Sequence, residues 1–276
     1  MKNVIITGFE GFIGSQLYKK LLGLNYKCVG VSESYLNEDN WESILDNIFL
    51  TCKPDVVFHL GACANTLEKD VNFMMIRNYE STKKISNLCS TYNIPLIYSS
   101  SAANYGVNGR NPSNLYGWSK YVSEDYVIGK GGIALRYFNV YGPGEERKGT
   151  MASFINQAFN TNAKKEKVFI FPNNPRRDFV HVDDVVSANI FAFENYKNLD
   201  KKYYEVSTGV ANFFEYLLER FRIKYEYLPE TIIPNGYQFN TCGDKSKWMD
   251  GWKPMLSLDA GLDSYKDYLE NSLPLC

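Results

Sequence analysis

Tyr116-Gly117-Trp118-Ser119-Lys120 sets a phenol and an amine four residues apart. On a helix that spacing puts both on one face, where an ammonium can draw down a phenol pKa that is ordinarily near ~10. A phenol tuned in this way can exchange a proton with a substrate hydroxyl at neutral pH. Upstream, Ser99-Ser100-Ser101 follows an apolar run, so it falls at the carboxyl end of a strand, where a sheet presents hydroxyls to a ligand. Near the N-terminus, Gly8-Phe9-Glu10-Gly11-Phe12-Ile13-Gly14 spaces three glycines directly after Val4-Ile5-Ile6. Gly8 permits a tight turn and Gly11 lets the main chain approach a pyrophosphate. Gly14 lets the helix pack closely on its strand, with its N-terminus facing the anion. Each pattern alone also fits a bland explanation, a surface lysine over a half-buried tyrosine or an ordinary glycine turn. Together and in this order they describe proton transfer beside a bound nicotinamide dinucleotide.

These groups need strands and helices to hold them. Val4–Ile6, Cys28–Val31, Asp55–Leu60, Pro95–Ser99 and Gly132–Tyr137 read as five buried strands. Helical spacing joins Phe12, Ile13, Leu17, Leu21 and Leu22, and again Trp41, Ile44, Leu45, Ile48 and Phe49. The alternation predicts an α/β fold, a Rossmann-type doubly wound parallel sheet with its ligand beyond the carboxyl ends of the strands. After Tyr141-Gly142-Pro143-Gly144 the pattern loosens. Helices are expected around 152–159 and 184–194 and a strand near 203–207, followed by a Pro- and Gly-rich tail. The division expected is a cofactor domain over 1–140, with 180–208 returning to it, and a smaller substrate-binding lobe formed by 141–179 and 209–276.

Composition narrows the class. A net charge of −1 argues against a broad nucleic-acid surface. Six cysteines without a C-x-x-C pair, and only two histidines, argue against zinc and for free thiols in a reducing cytoplasm. No stretch nears the roughly 18 apolar residues of a membrane span, and the N-terminal apolar run is too short for a signal peptide.

With these motifs in hand, the chain resembles the extended short-chain dehydrogenase/reductases over nearly its whole length. The resemblance rests on T-G-x-x-G-F-I-G, His59-Leu60-Gly61-Ala62, Tyr116 with Lys120, 136–143 (Arg-Tyr-Phe-Asn-Val-Tyr-Gly-Pro) and 177–184 (Arg-Asp-Phe-Val-His-Val-Asp-Asp). Among them it is most similar to the ADP-glycero-manno-heptose 6-epimerase family, through Gly61-Ala62-Cys63, Phe73-Met74-Met75, 100–106, Lys148-Gly149-Thr150-Met151-Ala152-Ser153 and Gly236-Tyr237-Gln238. That resemblance implies an isomerase of a nucleotide-activated sugar. It oxidises a carbinol to a ketone, then returns the hydride to the opposite face. It implies Tyr116 and Lys148 as the two acid/base groups, Lys120 on the nicotinamide ribose and Ser101 on the reacting oxygen. Cofactor contacts are implied at Gly8, Gly11, Phe12, Ile13, Gly14, Ser32, Glu33, Leu60, Gly61, Ala62, Asn78, Tyr116, Lys120 and Val140. Substrate contacts are implied at Asn139, Thr150, Arg177 and Tyr237, in a homo-oligomer.

Several alternatives stay open. Ser32, at the end of the second strand, leaves room for a 2′-phosphate and points to NADP. Glu33, next in line, can instead serve the ribose hydroxyls of NAD. Lys148, within Glu145-Glu146-Arg147-Lys148, also fits a solvated charged loop; Arg176 and Arg177 can pair with Asp178 or Asp183, and Asp183-Asp184 can cap a helix. The segments 33–53 and 104–115 are abbreviated, with no convincing strand in the first, which leaves GDP-, CDP- or UDP-sugars in play. Ala102-Ala103 after Ser101 lacks the Asp-Glu pair a dehydratase needs. A net reductase would use the same residues, but with freely exchanging cofactor, whereas an epimerase turns over without added NAD(P)H. A non-catalytic dinucleotide sensor is a third reading, disfavoured by the intact Tyr116 and Lys120.

Overall fold

Val4 and Ile6 point to one side of their strand and Ile5 to the other, and both sides are buried. That two-faced burial is what a strand sandwiched between helix layers requires. The computed structural model describes residues 2–61, 63–107, 109, 111–233 and 237–272. In chain order the strands are β1 (Asn3–Thr7), β2 (Lys27–Val31), β3 (Val56–His59), β4 (Leu96–Ser101), β5 (Ile133–Tyr137), β6 (Asn139–Tyr141), β7 (Val168–Ile170), β8 (Arg176–His181), β9 (Tyr203–Val206), β10 (Ala211–Phe213), β11 (Tyr225–Tyr227) and β12 (Asn240–Thr241). The helices are α1 (Phe12–Gly23), α2 (Trp41–Cys52), α3 (Val71–Met75), α4 (Ser81–Thr91), α5 (Leu115–Gly129), α6 (Phe154–Ala163), α7 (Val182–Glu194), α8 (Phe214–Arg220) and α9 (Leu258–Ser272).

Six parallel strands form the central sheet in the order β2-β1-β3-β4-β5-β9. One face packs Val4, Ile6, Leu17, Leu21 and Val185 under α1 and α7. The other packs Ile5, Val57, Leu45, Ile85 and Val127 under α2, α4 and α5. The order of strands reverses at β1, so a crevice opens between the carboxyl ends of β1 and β3. No strand lies between Ser32 and Lys53. Residues Glu33–Asn37 form a 3-10 turn that runs into α2, and β2 is left as the sheet edge.

A separate apolar cluster of Tyr141, Ile155, Phe159, Phe179, Phe214, Leu217, Leu262 and Tyr265 gathers α6, α8 and α9 around β8. β8 also pairs with β6, β10 and β12, so the chain's last third is stitched to the strand that follows the central sheet. Asp178, fully buried, accepts from the Thr208, Gly209 and Gly243 amides at 2.8–3.0 Å and holds this junction rather than pairing with Arg176 or Arg177. His181 caps α7, accepting from the Asp183 amide at 3.2 Å. Asp184, which the sequence suggested as a cap, receives the Met255 and Leu256 amides and ties down the tail. No described helix is long and apolar enough to cross a membrane.

Candidate active site

The glycine turn lies at the mouth of the crevice. Gly8 has φ +66°, and a Cβ there would meet Gly61 Cα at 2.6 Å; a Cβ on Gly14 would meet the Gly8 carbonyl at 2.1 Å. The turn thus closes on the loop after β3 and on α1 at distances only glycine allows. Gly11 is the N-cap of α1 and offers no side chain to its first-turn amides. Those amides and the helix dipole are left for an anion, which is the fit a pyrophosphate needs. Phe12 is buried in the core and Ile13 packs against it, which leaves their main chain rather than their side chains at the turn. Val140 is buried in the same core.

A relay of hydroxyls and one imidazole fixes the loop after β3. Gly61 N–H donates to Thr7 Oγ1 at 3.1 Å, and Thr7 Oγ1 lies 2.6 Å from His59 Nδ1. His59 Nε2 lies 2.8 Å from Thr82 Oγ1, which donates to the Asn78 carbonyl at 2.5 Å. Because Thr82 donates onward, these directions place a proton on His59 Nε2. Burial, with Lys120 adding to it, pushes its pKa down from 6.5 to about 3. Asn78 sits in a one-turn π-helix, Ile76–Glu80, and its side chain spans the Cys63 amide (2.7 Å), the Cys63 carbonyl (3.1 Å) and Ser119 Oγ (2.8 Å). It therefore positions the Leu60–Cys63 loop against α5. Ala62, within that loop, lies outside the described residues.

Tyr116 and Lys120 share a face of α5, as their spacing predicts. Asn114 caps that helix through the Gly117 amide at 2.7 Å. The Ser101 side chain acts to lower the Tyr116 phenol pKa, and its hydroxyl takes the Ala103 amide at 3.1 Å. The expected ammonium–phenol tuning is not what dominates. Burial pushes the Tyr116 pKa up, opposed by the Ser101 side chain. Lys120 Nζ donates instead to the Ser99 carbonyl at 2.7 Å and lies 4.9 Å from the Tyr98 ring centre. Burial brings Lys120 down to about 7, partly offset by Glu33.

Lys148 lies on Glu145–Met151, a 3-10 stretch kinked at Gly149. Its Nζ lies 5.9 Å from the Phe12 ring centre, beside the glycine turn, and burial lowers its pKa. The loop is not simply a solvated run of charge. Glu145 is fully buried and accepts from Ser153 N (2.6 Å), Ser153 Oγ (2.8 Å) and Gly142 N (3.4 Å), stapling both ends of the segment that carries Lys148. Thr150 is exposed, and its carbonyl accepts from Gln157 at 3.2 Å.

Arg177 and Tyr237 do come together. The guanidinium lies 5.3 Å from the Tyr237 ring centre and 5.7 Å from that of Phe214. Tyr237 in turn meets Phe171 and Phe239 edge-on at 4.7 and 4.9 Å. A fork of donors among flat rings suits a diphosphate and a base. Gly236, quoted beside Tyr237, lies outside the described residues. Asn139 spends both amide hydrogens on the protein, at the Asp178 carbonyl and Thr241 Oγ1, each 3.1 Å away.

Beneath Ser101 runs a buried ionic network that sequence reasoning missed. Glu124 accepts from Arg136 at 2.8 and 2.5 Å, from Ser100 at 2.5 Å and from Asn104 at 3.1 Å. Arg136 lies between the Tyr105 and Tyr203 rings, at 4.7 and 3.5 Å, and Tyr105 continues the chain of bonds to Glu205. Among the described residues no cluster of metal-ligating side chains occurs. An open depression of about 600 Å³ beside Trp248 and Trp252 contains none of these groups.

Crevice, glycine turn and hydroxyl pair define a dinucleotide-dependent enzyme of the epimerase kind. A family model described as the NAD dependent epimerase/dehydratase family matches residues 4–207. The chain belongs to that family. It is 32% identical, across 98% of both chains, to an ADP-L-glycero-D-manno-heptose-6-epimerase of Brachyspira hyodysenteriae. That alignment spans 315 positions against 276 residues here, so at least 39 positions of the relative have no counterpart, in keeping with the abbreviated segments. Among solved structures, the UDP-glucose 4-epimerase of Thermotoga maritima, with UDP-glucose, superposes with TM-score 0.87 at 26% identity, covering 99% of this chain and 100% of that one. The ADP-L-glycero-D-manno-heptose-6-epimerase of Helicobacter pylori superposes with TM-score 0.83 at 24% identity, covering 98% and 96%.

Proposed function

We propose that the protein epimerises a nucleotide-activated sugar, of the ADP-glycero-manno-heptose 6-epimerase type. The observation that supports this is Ser101 at the end of β4 acting on the Tyr116 phenol, together with Lys148 held beside the glycine turn on a loop stapled by Glu145. A nicotinamide dinucleotide, which the glycine turn Gly8–Gly14, Gly61 and Lys120 would hold, would supply the acceptor and donor for the hydride at the sugar carbon. Tyr116 and Lys148 act as the two acid/base groups: one takes the carbinol proton as the ketone forms, and the other returns a proton as the opposite epimer forms. Burial favours neutral Lys148, which suits it to accept that proton. Ser101 holds the reacting oxygen, Lys120 the nicotinamide ribose, and Arg177 with Tyr237 the nucleotide diphosphate. Either nicotinamide dinucleotide can run this cycle, because its 2′ position takes no part in hydride transfer.

We assign the cofactor to residues 1–140 with 180–208, and the sugar nucleotide to 141–179 and 209–276. The working form is taken to be a homo-oligomer, for which Phe73, Trp118 and Tyr121, exposed on α3 and α5, offer apolar surface. The free thiols at Cys28, Cys52, Cys63, Cys89 and Cys242 suit a reducing cytoplasm.

The test is incubation with ADP-D-glycero-D-manno-heptose, followed by proton NMR, with no cofactor added. Conversion to the L-glycero epimer is the expected result. A UDP-sugar 4-epimerase is the second reading, favoured by the superposition on the Thermotoga enzyme along the whole chain. Turnover of UDP-glucose with none of the heptose would select it.

A further inference from the structure

Lys148 is carried by a stretch of chain that is fastened to the glycine turn and its helix at the root and again midway. At the root, Gln16 of α1 donates from Nε2 to the Pro143 carbonyl at 2.9 Å. Gly144, the N-cap of the Glu145–Met151 stretch, has φ +96°, and a Cβ there would meet Gln16 Nε2 at 2.9 Å and the Phe12 ring at 3.8 Å. The root therefore rests on the first turns of α1, the helix that the glycine turn opens. Midway, Arg147 Nη1 donates to the main-chain carbonyl of Glu10 at 3.0 Å. Glu10 lies between Gly8 and Gly11, and its carboxylate takes the Ser32 hydroxyl at 2.7 Å. Its side chain is thus tied to the end of β2 while its carbonyl receives Arg147.

The other bonds of the stretch give it its shape without setting it against the turn. Glu145 accepts from Ser153 and Gly142. Gln157 donates to the Thr150 and Ala152 carbonyls at 3.2 and 2.7 Å, and Tyr268 donates to Glu146 at 3.2 Å. Gly149, at φ +53° and ψ −124°, kinks the chain one residue past Lys148. Past that kink, Met151 Sδ takes a long contact from Thr66 Oγ1 at 3.8 Å. The placement of Lys148 therefore depends on what holds the residues before the kink, and those contacts are Gln16 and Arg147.

We infer that Arg147 and Gln16 are positioning residues that latch the Lys148 stretch onto the glycine turn, and so set the distance between Lys148 and the reacting carbon. This deepens the epimerase reading and rests on Lys148 being one of its two acid/base groups. Proton transfer needs the amine within hydrogen-bond reach of the carbinol oxygen, and a displacement of about 1 Å can cost up to ~10² in rate. A hydrogen bond from an exposed guanidinium adds little to overall stability. Loss of the latch should therefore show in where one side chain sits rather than in unfolding.

The experiment is a double-mutant cycle on the full chain with Arg147→Gln, Lys148→Met and the two combined. The substrate is ADP-D-glycero-D-manno-heptose or UDP-glucose, whichever the native chain turns over. Arg147→Gln should lower kcat by about tenfold, inside the range for a misplaced reacting group, and leave KM within about twofold. In the Lys148→Met background the same change should cost nothing further, because Arg147 acts through Lys148. A second readout needs no turnover: acetylation of Lys148 by acetic anhydride, followed by mass spectrometry. It should run several-fold faster in Arg147→Gln and in Gln16→Leu than in the native chain. Undiminished kcat with unchanged Lys148 labelling, or an equal loss with and without Lys148, overturns the inference and leaves the epimerase reading standing. Native activity in Lys148→Met alone overturns the acid/base reading of Lys148 and the inference with it, an outcome visible before Arg147 is touched.

Discussion

Tyr116 is a half-buried residue whose phenol is kept protonated by desolvation, which raises its pKa against the lowering influence of Ser101. Lys120, one helical turn further along the same face of α5, is itself brought down to about 7 by burial. Replacing Tyr116 by Phe removes the proposed proton carrier but keeps the ring. Turnover should fall by roughly 10²–10⁴, while calorimetry still detects dinucleotide binding. Lys148→Met should lower kcat on a similar scale and leave the thermal midpoint little changed, because the loop is held by Glu145 rather than by Lys148 itself. Full activity in either variant would remove that residue from the mechanism.

Two devices at the level of the elements keep these residues in place. The Thr7–His59–Thr82 relay joins β1, β3 and α4, and burial with Lys120 nearby keeps His59 neutral within it. Its pKa is about 3 in the fold against an ordinary 6.5, so the unfolded chain binds a proton that the folded one refuses. Stability is therefore lost as pH falls from about 6.5 toward about 3, and the loss levels off below that. Urea midpoints measured across this range should show the slope, and His59→Asn should flatten it. The Glu124–Arg136 pair, both side chains under a tenth exposed, anchors the strand-end serines from beneath. Glu124→Gln leaves Arg136 charged and buried without its partner, at a cost of about 3–5 kcal/mol. Chemical denaturation should register that cost, and replacing both residues by methionine should recover much of it.

At the scale of the whole molecule, the parts legible in the sequence were those written in short spacing. Gly8-x-x-Gly11-x-x-Gly14, Tyr116 with Lys120, and Ser101 at a strand end each carry their geometry within a few residues. The parallel sheet followed from its apolar runs, and the missing strand between Ser32 and Lys53 was visible as an absence. What was not legible depends on who meets whom across the fold. Glu10 meets Ser32 only because β1 and β2 pair in register. Glu145 is buried only because Ser153 returns to it, and His59 reads as one more strand residue until Thr7 and Thr82 close on it. The Asp178 junction likewise joins residues from three separate stretches of chain.

The central claim is that one carbinol hydrogen leaves as hydride and returns to the same carbon within a single closed site. The most direct measurement is epimerisation of the nucleotide sugar in D2O, with the product analysed by NMR at the inverted carbon. Hydride removal and return predicts inversion with no deuterium at that carbon, since the acid/base groups exchange only the oxygen-bound proton with solvent. Deuterium at the inverted carbon would mean proton abstraction from carbon, and would contradict the account.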